Sequence, residues 1–432
     1  MYIETNRRAF LRATGLGIAG LSLGGLGRAM AQTANDQVLL TVFLRGASDG
    51  MSWLHPRPGT SAARVKYESY RGAGTRILNG INVPSNMAMH PALAALRPAM
   101  RAGEATLVAG VAGAVENRSH FQQQDLVESG SSNGTPRRDG VLGRALGELS
   151  LVGAGLAGLS LNTQSPFLLR STTSGGLTAP DLRGFGRLNN GTYVNAAALD
   201  LQERVRRLYV PNDTCTTGTC EAGRQATDAL ATYGAISASA GLPGGKAANL
   251  GETLTDLAKL IAADTSGAFK FINVDIGGWD THLNQGSDAQ TNGAFTGTLA
   301  KNLEGLANAL AAFNTEAHAQ GCWNRVNVLV ITEFGRTTRE NGTAGTDHGY
   351  GSVALVMGSG LRAQVSAQGY FPNDAGAAYY AEAEAGNALP RLVEHRQLMD
   401  EILRQRFGLD NTAMGAVLPG FTRDTGYPSL YV

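Results

Sequence analysis

Carboxylate and imidazole side chains follow apolar runs at several points of the sequence, and such groups bind divalent metals and transfer protons. The run from Arg325 to Thr332 is rich in β-branched and apolar residues, so it predicts a buried strand of a parallel sheet. Glu333 comes directly after this run, and Asp347 and His348 follow one loop later. Because ligands of open α/β sheets bind at the carboxyl ends of the strands, we expect a functional site here.

A second pair, Asp280 and His282, follows a predicted strand from Phe269 to Ile276. In an extended segment, residues two apart point to the same side, so this pair would present an oxygen and a nitrogen to one point. Divalent metals of borderline hardness accept such mixed ligands. A solvated aspartate next to a surface histidine is the alternative interpretation.

Asp49 comes shortly after a further predicted strand, from Val38 to Leu44. This position places its carboxylate at the same edge of the sheet. The Asp49-Gly50 dipeptide is also typical of an ordinary turn, so the pattern alone favours a structural role.

Ser119 is predicted to open a helix, and it has two compatible interpretations. With Gln122 it has the spacing of a capping box, which explains the serine structurally. A hydroxyl at a helix N-terminus also lies in a positive field that stabilises an alkoxide and an incoming anion. The predicted cap therefore does not exclude a nucleophile.

The composition limits the classes of function. The chain has 432 residues, of which 43% are hydrophobic, and a formal net charge of +1. This is enough material for one large α/β domain or two modest ones. A near-neutral charge without a basic run gives no basis for nucleic-acid binding, and no stretch after the N-terminus is long and apolar enough to span a bilayer.

Residues 1–31 have the features of an export signal. Arg7 and Arg8 lie in a segment that resembles a twin-arginine motif, an apolar region follows, and a small-residue cleavage site ends at Ala31. A basic surface helix is the alternative. The signal predicts that residues 32–432 form a mature protein of the periplasm or cell envelope.

Strand and helix patterns alternate before residue 150 and again after residue 245, which predicts an α/β fold. The region at about 150–245 has weaker signals, and we expect it to form a cover or insertion over the sheet. It contains Cys215 and Cys220, which are expected to form a local disulfide in an oxidising compartment.

Five motifs, taken in order along the chain, resemble those of one family. They are Phe43–Gly50, Arg118–Phe121, Gly278–His282, Glu333–Arg336 and Gly345–Gly349. Together they resemble an exported, sulfatase-like branch of the alkaline phosphatase superfamily, the domain of unknown function fifteen-oh-one. The resemblance covers nearly all of the mature chain, and it implies a three-layer sandwich around a central, mostly parallel sheet.

The resemblance also implies two metal sites that flank the attacked phosphorus or sulfur. Carried over by position, Asp49 and Ser119 would belong to the first site, and Asp280 with His282 to the second.

Two arrangements of the remaining ligands stay open. Either Asp347 and His348 act together, or Glu333 takes the strand-end position and His348 supplies the late histidine of the second site. One or two ions of zinc, manganese or calcium are expected, and a chain without metal is the alternative.

The resemblance implies a metal-dependent hydrolase of phosphate or sulfate esters. A small anionic ester would be the substrate, and Ser119 or a metal-bound water the nucleophile. His120 would be a ligand or a general acid, and Arg45, Arg118 and Arg336 would bind the anionic oxygens or form surface ion pairs. A non-catalytic envelope binding or assembly protein is the competing hypothesis. A serine hydrolase without metal is disfavoured because no Gly-x-Ser-x-Gly elbow surrounds Ser119.

Overall fold

The structure is a computed structural model that describes residues 36–83, 86–151, 156–171, 176–183, 218–362, 387–427 and 429–432. The predicted export signal at 1–31 lies outside these residues. So does Cys215 of the predicted disulfide, and both remain predictions.

The described strands form a central sheet of eight strands and two small sheets of three and two strands. The strands are β1 (Val38–Leu44), β2 (Leu54–Pro56), β3 (Ile81–Val83), β4 (Met87–Met89), β5 (Ala105–Ala112), β6 (Gly158–Ser160), β7 (Leu177–Thr178), β8 (Phe271–Ile276), β9 (Gln290–Thr291), β10 (Ala294–Phe295), β11 (Val326–Thr332), β12 (Ser352–Gly358) and β13 (Val393–Glu394). The order of the central sheet is β13-β5-β12-β11-β1-β8-β6-β7.

The middle of the central sheet is parallel and buried. β1 pairs in parallel with β8 and β11, and Leu44 lies opposite Ile276 and Thr332. Within this sheet β12 runs antiparallel to both of its neighbours, so the sheet is mostly parallel, as predicted. Because β1, β8 and β11 end in register, the loops that follow them leave the sheet at one edge.

The helices lie between these strands along the chain. They are α1 (Gly50–Trp53), α2 (Ala62–Tyr70), α3 (Arg97–Arg101), α4 (His120–Ser129), α5 (Val141–Glu148), α6 (Gly218–Ala240), α7 (Leu250–Ala263), α8 (Thr298–Ala319), α9 (His395–Phe407) and α10 (Asn411–Val417). Short 3-10 helices occupy Pro91–Leu96, Phe167–Leu169 and Trp323–Arg325.

Two apolar clusters cover the two faces of the central sheet. Residues along β1 alternate between them: Leu40 and Val42 belong to one cluster, and Leu39 and Phe43 to the other. Helices α7 and α8 pack into the first cluster, and α5 and α9 into the second. The fold is therefore a sheet between two helical layers, which confirms the predicted three-layer α/β class.

Part of the predicted cover region extends the sheet itself. β6 pairs in parallel with β8, and β7 pairs in parallel with β6 at the edge of the sheet. The helix expected from about Val194 to Tyr209 lies outside the described residues. No helix of the described ranges is both long and apolar enough to cross a membrane.

His395 is an exception to its local sequence. Its charged neighbours in α9 predict a solvated side chain, but only 4% of the residue is exposed. Nε2 of His395 donates a hydrogen bond to the carbonyl of Thr332, at the end of β11. The prediction is wrong because the first turn of α9 is buried against the sheet, which the local pattern of charges does not reveal.

Candidate metal centre

The candidate site lies where β1, β8 and β11 end at the same edge of the central sheet. The loop after β8 carries Asp280 and His282, and Glu333 follows β11 directly. Helix α4 begins at His120, and the loop between β11 and β12 carries His348. Folding thus brings together segments that are distant in the chain.

Asp280 lies at the centre of three histidines. Its Oδ1 is 3.2 Å from Nε2 of His282 and 3.7 Å from Nε2 of His348. Its Oδ2 is 3.5 Å from Nε2 of His120. The Nε2 atoms of His282 and His348 are 2.9 Å apart. These four side chains are called the histidine-aspartate cluster below.

Each histidine of the cluster is held through its other ring nitrogen. Nδ1 of His120 lies 2.8 Å from the Glu333 carboxylate, and Nδ1 of His282 lies 2.9 Å from the Asp347 carboxylate. Nδ1 of His348 lies 2.6 Å from the carbonyl of Arg118. Because a carboxylate or carbonyl only accepts, Nδ1 carries the proton in each neutral ring, and Nε2 presents a lone pair to the cluster. Proteins commonly orient metal-binding histidines in this way.

The pKa values of the cluster follow from its neighbours. Burial lowers the pKa of His348, which favours the neutral ring. The hydrogen bond to Glu333 raises the pKa of His120. Burial alone would raise the pKa of Asp280, but Arg336 donates to its carboxylate and holds that pKa below the usual value. Asp280 is therefore ionised.

The cluster fits a divalent ion. Ligands of a tetrahedral ion with bonds of about 2.0–2.1 Å lie about 3.3 Å apart, and the separations of 2.9, 3.2, 3.5 and 3.7 Å between cluster atoms bracket that value. His120, Asp280 and His348 offer ligand atoms that all lie within 4.8 Å of one another. Nε2 of His120 is buried and has no hydrogen-bond partner, which leaves its lone pair available. An ion bound here would satisfy it.

Glu333 contacts the cluster through His120. Its carboxylate is fully buried and also accepts hydrogen bonds from the backbone N–H of Gly46, the side chain of Gln124 and the hydroxyl of Thr332. Burial alone would raise its pKa, but the bonds from His120 and Gln124 hold that pKa below the usual value. Glu333 is thus an ionised group that orients His120.

Gly46 and Arg336 fix the loop that carries Asp280. The backbone of Gly46 has a φ of +119°, and a Cβ atom there would lie 2.4 Å from the backbone nitrogen of Asp280. Arg336 is fully buried and donates to Asp280 and to the carbonyls of Gly46, Ala47 and Thr346. Arg336 therefore connects strand-end loops and is not available to bind a substrate anion.

The structure does not place Asp49 in the cluster. Asp49 is fully buried at the start of α1, and Arg71 binds its carboxylate through both terminal nitrogens, at 2.5 and 2.9 Å. The side chains of Ser52 and Gln285 and the backbone N–H of Met51 donate to the same carboxylate. Its oxygens are therefore occupied by protein donors.

Ser119 takes the N-cap position of α4 but does not form the predicted capping box. Its side chain makes no cap hydrogen bond, and Gln122 instead accepts from Asn117. The backbone N–H of Ser119 donates to the side chain of Asn117 at 2.8 Å. The half-buried Ser119 hydroxyl at a helix N-terminus next to His120 is thus free of a capping role.

The two remaining arginines differ. Arg45 is held between Glu128 of α4 and Asp275 of β8, so its guanidinium is committed to two carboxylates. The exposed side chain of Arg118 pairs with Glu116 at 2.8 Å and also donates to the carbonyl of His348 at 3.2 Å. Arg118 therefore lies at the cluster, and Arg45 serves to join α4 to the sheet.

Residue patterns did not single out Arg71, Gln124 and Gln285, which support the site. Arg71 ends α2 and reaches Asp49, and Gln124 lies one helical turn after His120, on the same face of α4. The spacing from His120 to Gln124 is a signal that would have suggested Gln124. Nothing local marks Arg71 or Gln285, because their partners lie in other segments.

A family model described as "Protein of unknown function (DUF1501)" matches residues 221–411. The matched range includes Asp280, His282, Glu333 and His348, and it leaves out His120 and Asp49. No curated protein matches the chain.

Several solved structures are similar to this chain. A protein in the alkaline phosphatase superfamily from Vibrio parahaemolyticus is 10% identical, with 81% of this chain and 66% of that chain covered and a TM-score of 0.36. The C-terminal periplasmic domain of EcEptC from Escherichia coli is 11% identical over 90% and 88%, with a TM-score of 0.35. A phosphonate monoester hydrolase from Silicibacter pomeroyi is 9% identical over 87% and 74%, with a TM-score of 0.37. Likenesses at this level do not identify an activity.

Proposed function

We propose that this protein is an exported, metal-dependent hydrolase of phosphate or sulfate esters. The observation that supports the proposal is the histidine-aspartate cluster. Three imidazoles, each anchored through Nδ1, direct Nε2 toward the ionised Asp280 at the carboxyl edge of the sheet. An ordinary surface cluster does not need such anchoring.

The cluster would hold the ion through His120, Asp280 and His348, and the fourth position would stay open for a water molecule or a substrate oxygen. Two imidazole nitrogens and one carboxylate oxygen form a donor set that zinc accepts at sites with an open fourth position. Calcium binds six to eight oxygens, so the same donor set disfavours it. Among the expected metals, zinc fits these residues best and manganese second.

A bound divalent ion supplies Lewis acidity, which stabilises negative charge on the transferred group and favours deprotonation of a nearby hydroxyl. Ser119 is the nucleophile in this proposal, because its hydroxyl is free of a cap bond and lies at the N-terminus of α4 beside His120. Arg118 would bind the anionic oxygens with its exposed guanidinium.

Arg45 and Glu333 have supporting roles in the proposal. Arg45 pairs with Glu128 and Asp275, so it positions α4 and does not reach the substrate. Glu333 keeps the proton of His120 on Nδ1 and therefore keeps Nε2 free for the ion.

The test is elemental analysis of mature protein purified without chelators, together with cleavage assays on nitrophenyl phosphate, phosphonate and sulfate esters. The wild type is expected to contain zinc or manganese and to cleave at least one ester. His348→Ala is expected to lose both properties. His318→Ala is the matched control, because His318 lies on α8 and pairs with Glu104, away from the cluster.

Two outcomes would contradict the proposal. A wild type that stays free of metal after incubation with zinc and manganese rules out the metal centre. A wild type that holds metal but cleaves none of the esters favours the competing hypothesis of an envelope binding protein.

A further inference from the structure

We propose that the chain binds a single divalent ion, and that the Arg71 guanidinium takes the place of a second cation beside Asp49. This inference rests on the proposed metal centre and specifies its stoichiometry. It departs from the two metal sites that the sequence resemblance implies, because the residues of the first of those sites do not fit an ion.

Asp49 has no oxygen free for a metal. Oδ2 accepts from Arg71 at 2.5 Å, from Ser52 at 2.7 Å and from Gln285 at 2.7 Å. Oδ1 accepts from Arg71 at 2.9 Å and from the backbone N–H of Met51 at 3.2 Å. An ion could bind only after these donors were removed.

The charge of Asp49 is already neutralised. Arg71 and Asp49 are both buried, and their side chains are 0% exposed. Burial alone would raise the pKa of Asp49, but the Arg71 guanidinium holds that pKa below its usual value, so Asp49 is ionised and paired. A divalent ion placed beside this guanidinium would meet a like charge in a poorly screened interior.

The Arg71 side chain is built into the fold. One of its terminal nitrogens also donates to the carbonyl of Thr337, in the loop after β11. Gln285, which binds Asp49, accepts hydrogen bonds from the hydroxyls of Thr281 and Thr346. Hydrogen bonds thus connect the pair to the loops that follow β8 and β11.

The other carboxylate near this position is also unavailable. Both oxygens of the buried Glu333 accept hydrogen bonds: Oε1 from Gly46, His120 and Gln124, and Oε2 from Thr332. A second ion would therefore lack both of its strand-end carboxylates. In contrast, the histidine-aspartate cluster keeps an unpartnered Nε2 on His120.

The test is a cobalt(II) titration of metal-free mature protein, followed by visible absorption. We expect saturation at one equivalent, with the strong bands of a tetrahedral site. Asp49→Asn should keep one equivalent and the same spectrum but unfold at a lower temperature. Ser119→Ala, which changes the other residue predicted for the first site, should keep stoichiometry, spectrum and thermal midpoint, because the Ser119 side chain makes no cap bond.

The outcomes separate this inference from the proposed function. Saturation at two equivalents, reduced to one by Asp49→Asn or Ser119→Ala, would overturn the single-ion inference and leave the metal centre intact. No cobalt binding by the wild type would overturn the metal centre itself and the inference with it. If Asp49→Asn does not fold, the wild type and Ser119→Ala still decide between one and two ions.

Discussion

Two aspartates follow adjacent strands of the central sheet and have opposite environments. Asp49 follows β1, is fully buried, and has protein donors on both oxygens. Asp280 follows β8, and 48% of its side chain is exposed among three imidazoles. A position at the carboxyl edge therefore does not determine the role of a carboxylate. The groups that other segments bring to it do.

The arginines that pair with the two aspartates explain the difference. Arg71 binds both oxygens of Asp49, whereas Arg336 binds Oδ1 of Asp280 and leaves Oδ2 facing His120. The bidentate pair with Arg71 occupies both oxygens of Asp49. The bond from Arg336 keeps Asp280 ionised and leaves its Oδ2 without an arginine donor. An arginine pair thus buries Asp49 within the fold, whereas the arginine pair of Asp280 leaves one oxygen open toward the histidines.

Breaking the buried pair should have the largest effect on stability. Arg71→Met would leave the Asp49 carboxylate buried without its counter-charge, which costs about 3–5 kcal/mol in typical proteins. Urea unfolding should show this loss in the midpoint. Arg137→Ala is the control, since Arg137 is exposed and lies 3.9 Å from Asp139, and it should shift the free energy of unfolding by less than about 1 kcal/mol. Equal shifts in the free energy of unfolding for Arg71→Met and Arg137→Ala would contradict the expectation that the buried pair stabilises the fold more than the exposed one.

The buried histidine beside the site should make stability depend on pH. Burial lowers the pKa of His395 to about 4, below the value of about 6.5 in the unfolded chain. Because the folded state disfavours protonation of His395, its contribution to the free energy of unfolding is fully present above pH about 6.5. That contribution is lost as the pH falls toward about 4. The loss is about 3 kcal/mol, to order of magnitude.

His395→Gln tests this dependence, because glutamine keeps a donor for the carbonyl of Thr332 but does not titrate. Urea unfolding at a series of pH values should show a shallower decline for the variant between pH 6.5 and 4. Parallel curves for wild type and variant would show that His395 does not account for the slope.

Weakening the hydrogen bond between Glu333 and His120 should lower the metal affinity more than the stability of the fold. Glu333→Gln keeps an oxygen that accepts from Nδ1 but removes the negative charge, so metal affinity should fall about 10–100-fold, as it does for other residues that orient metal-binding histidines. Competition with a chromogenic chelator would measure the change. Asp347→Asn is the matched variant on His282, and its effect should be smaller because 58% of the Asp347 side chain is exposed. A larger loss of metal affinity for Asp347→Asn than for Glu333→Gln would contradict this prediction.

The smallest expected effect concerns Arg118. Arg118→Ala removes the exposed guanidinium but keeps the backbone carbonyl that holds His348, so metal content should not change. If Arg118 binds the anionic ester, KM should rise by less than about tenfold, with kcat nearly constant. Steady-state kinetics on the ester that the wild type cleaves would measure both. A loss of metal in this variant would instead assign Arg118 a structural role.

Much of the fold was predictable from local patterns. The apolar runs that became β1, β8 and β11 indicated a mostly parallel α/β sheet, because buried parallel strands contain continuous β-branched and apolar residues. Asp280, His282 and His348 were expected at the carboxyl edge of the strands, and the structure brings their side chains together there. The prediction that His395 is solvated failed because a charged helix can still be buried on one side.

The sequence by itself determined which residue types follow the strands, and hence that an edge rich in aspartate, glutamate and histidine would form. Tertiary structure alone decided their roles, because hydrogen bonds and ion pairs act over a few ångströms between segments far apart in the chain. Arg71 donates hydrogen bonds to both oxygens of Asp49, and Glu333 orients His120. Asp280 alone of these carboxylates was left facing three imidazoles. No local sequence pattern shows which of these carboxylates faces the imidazoles.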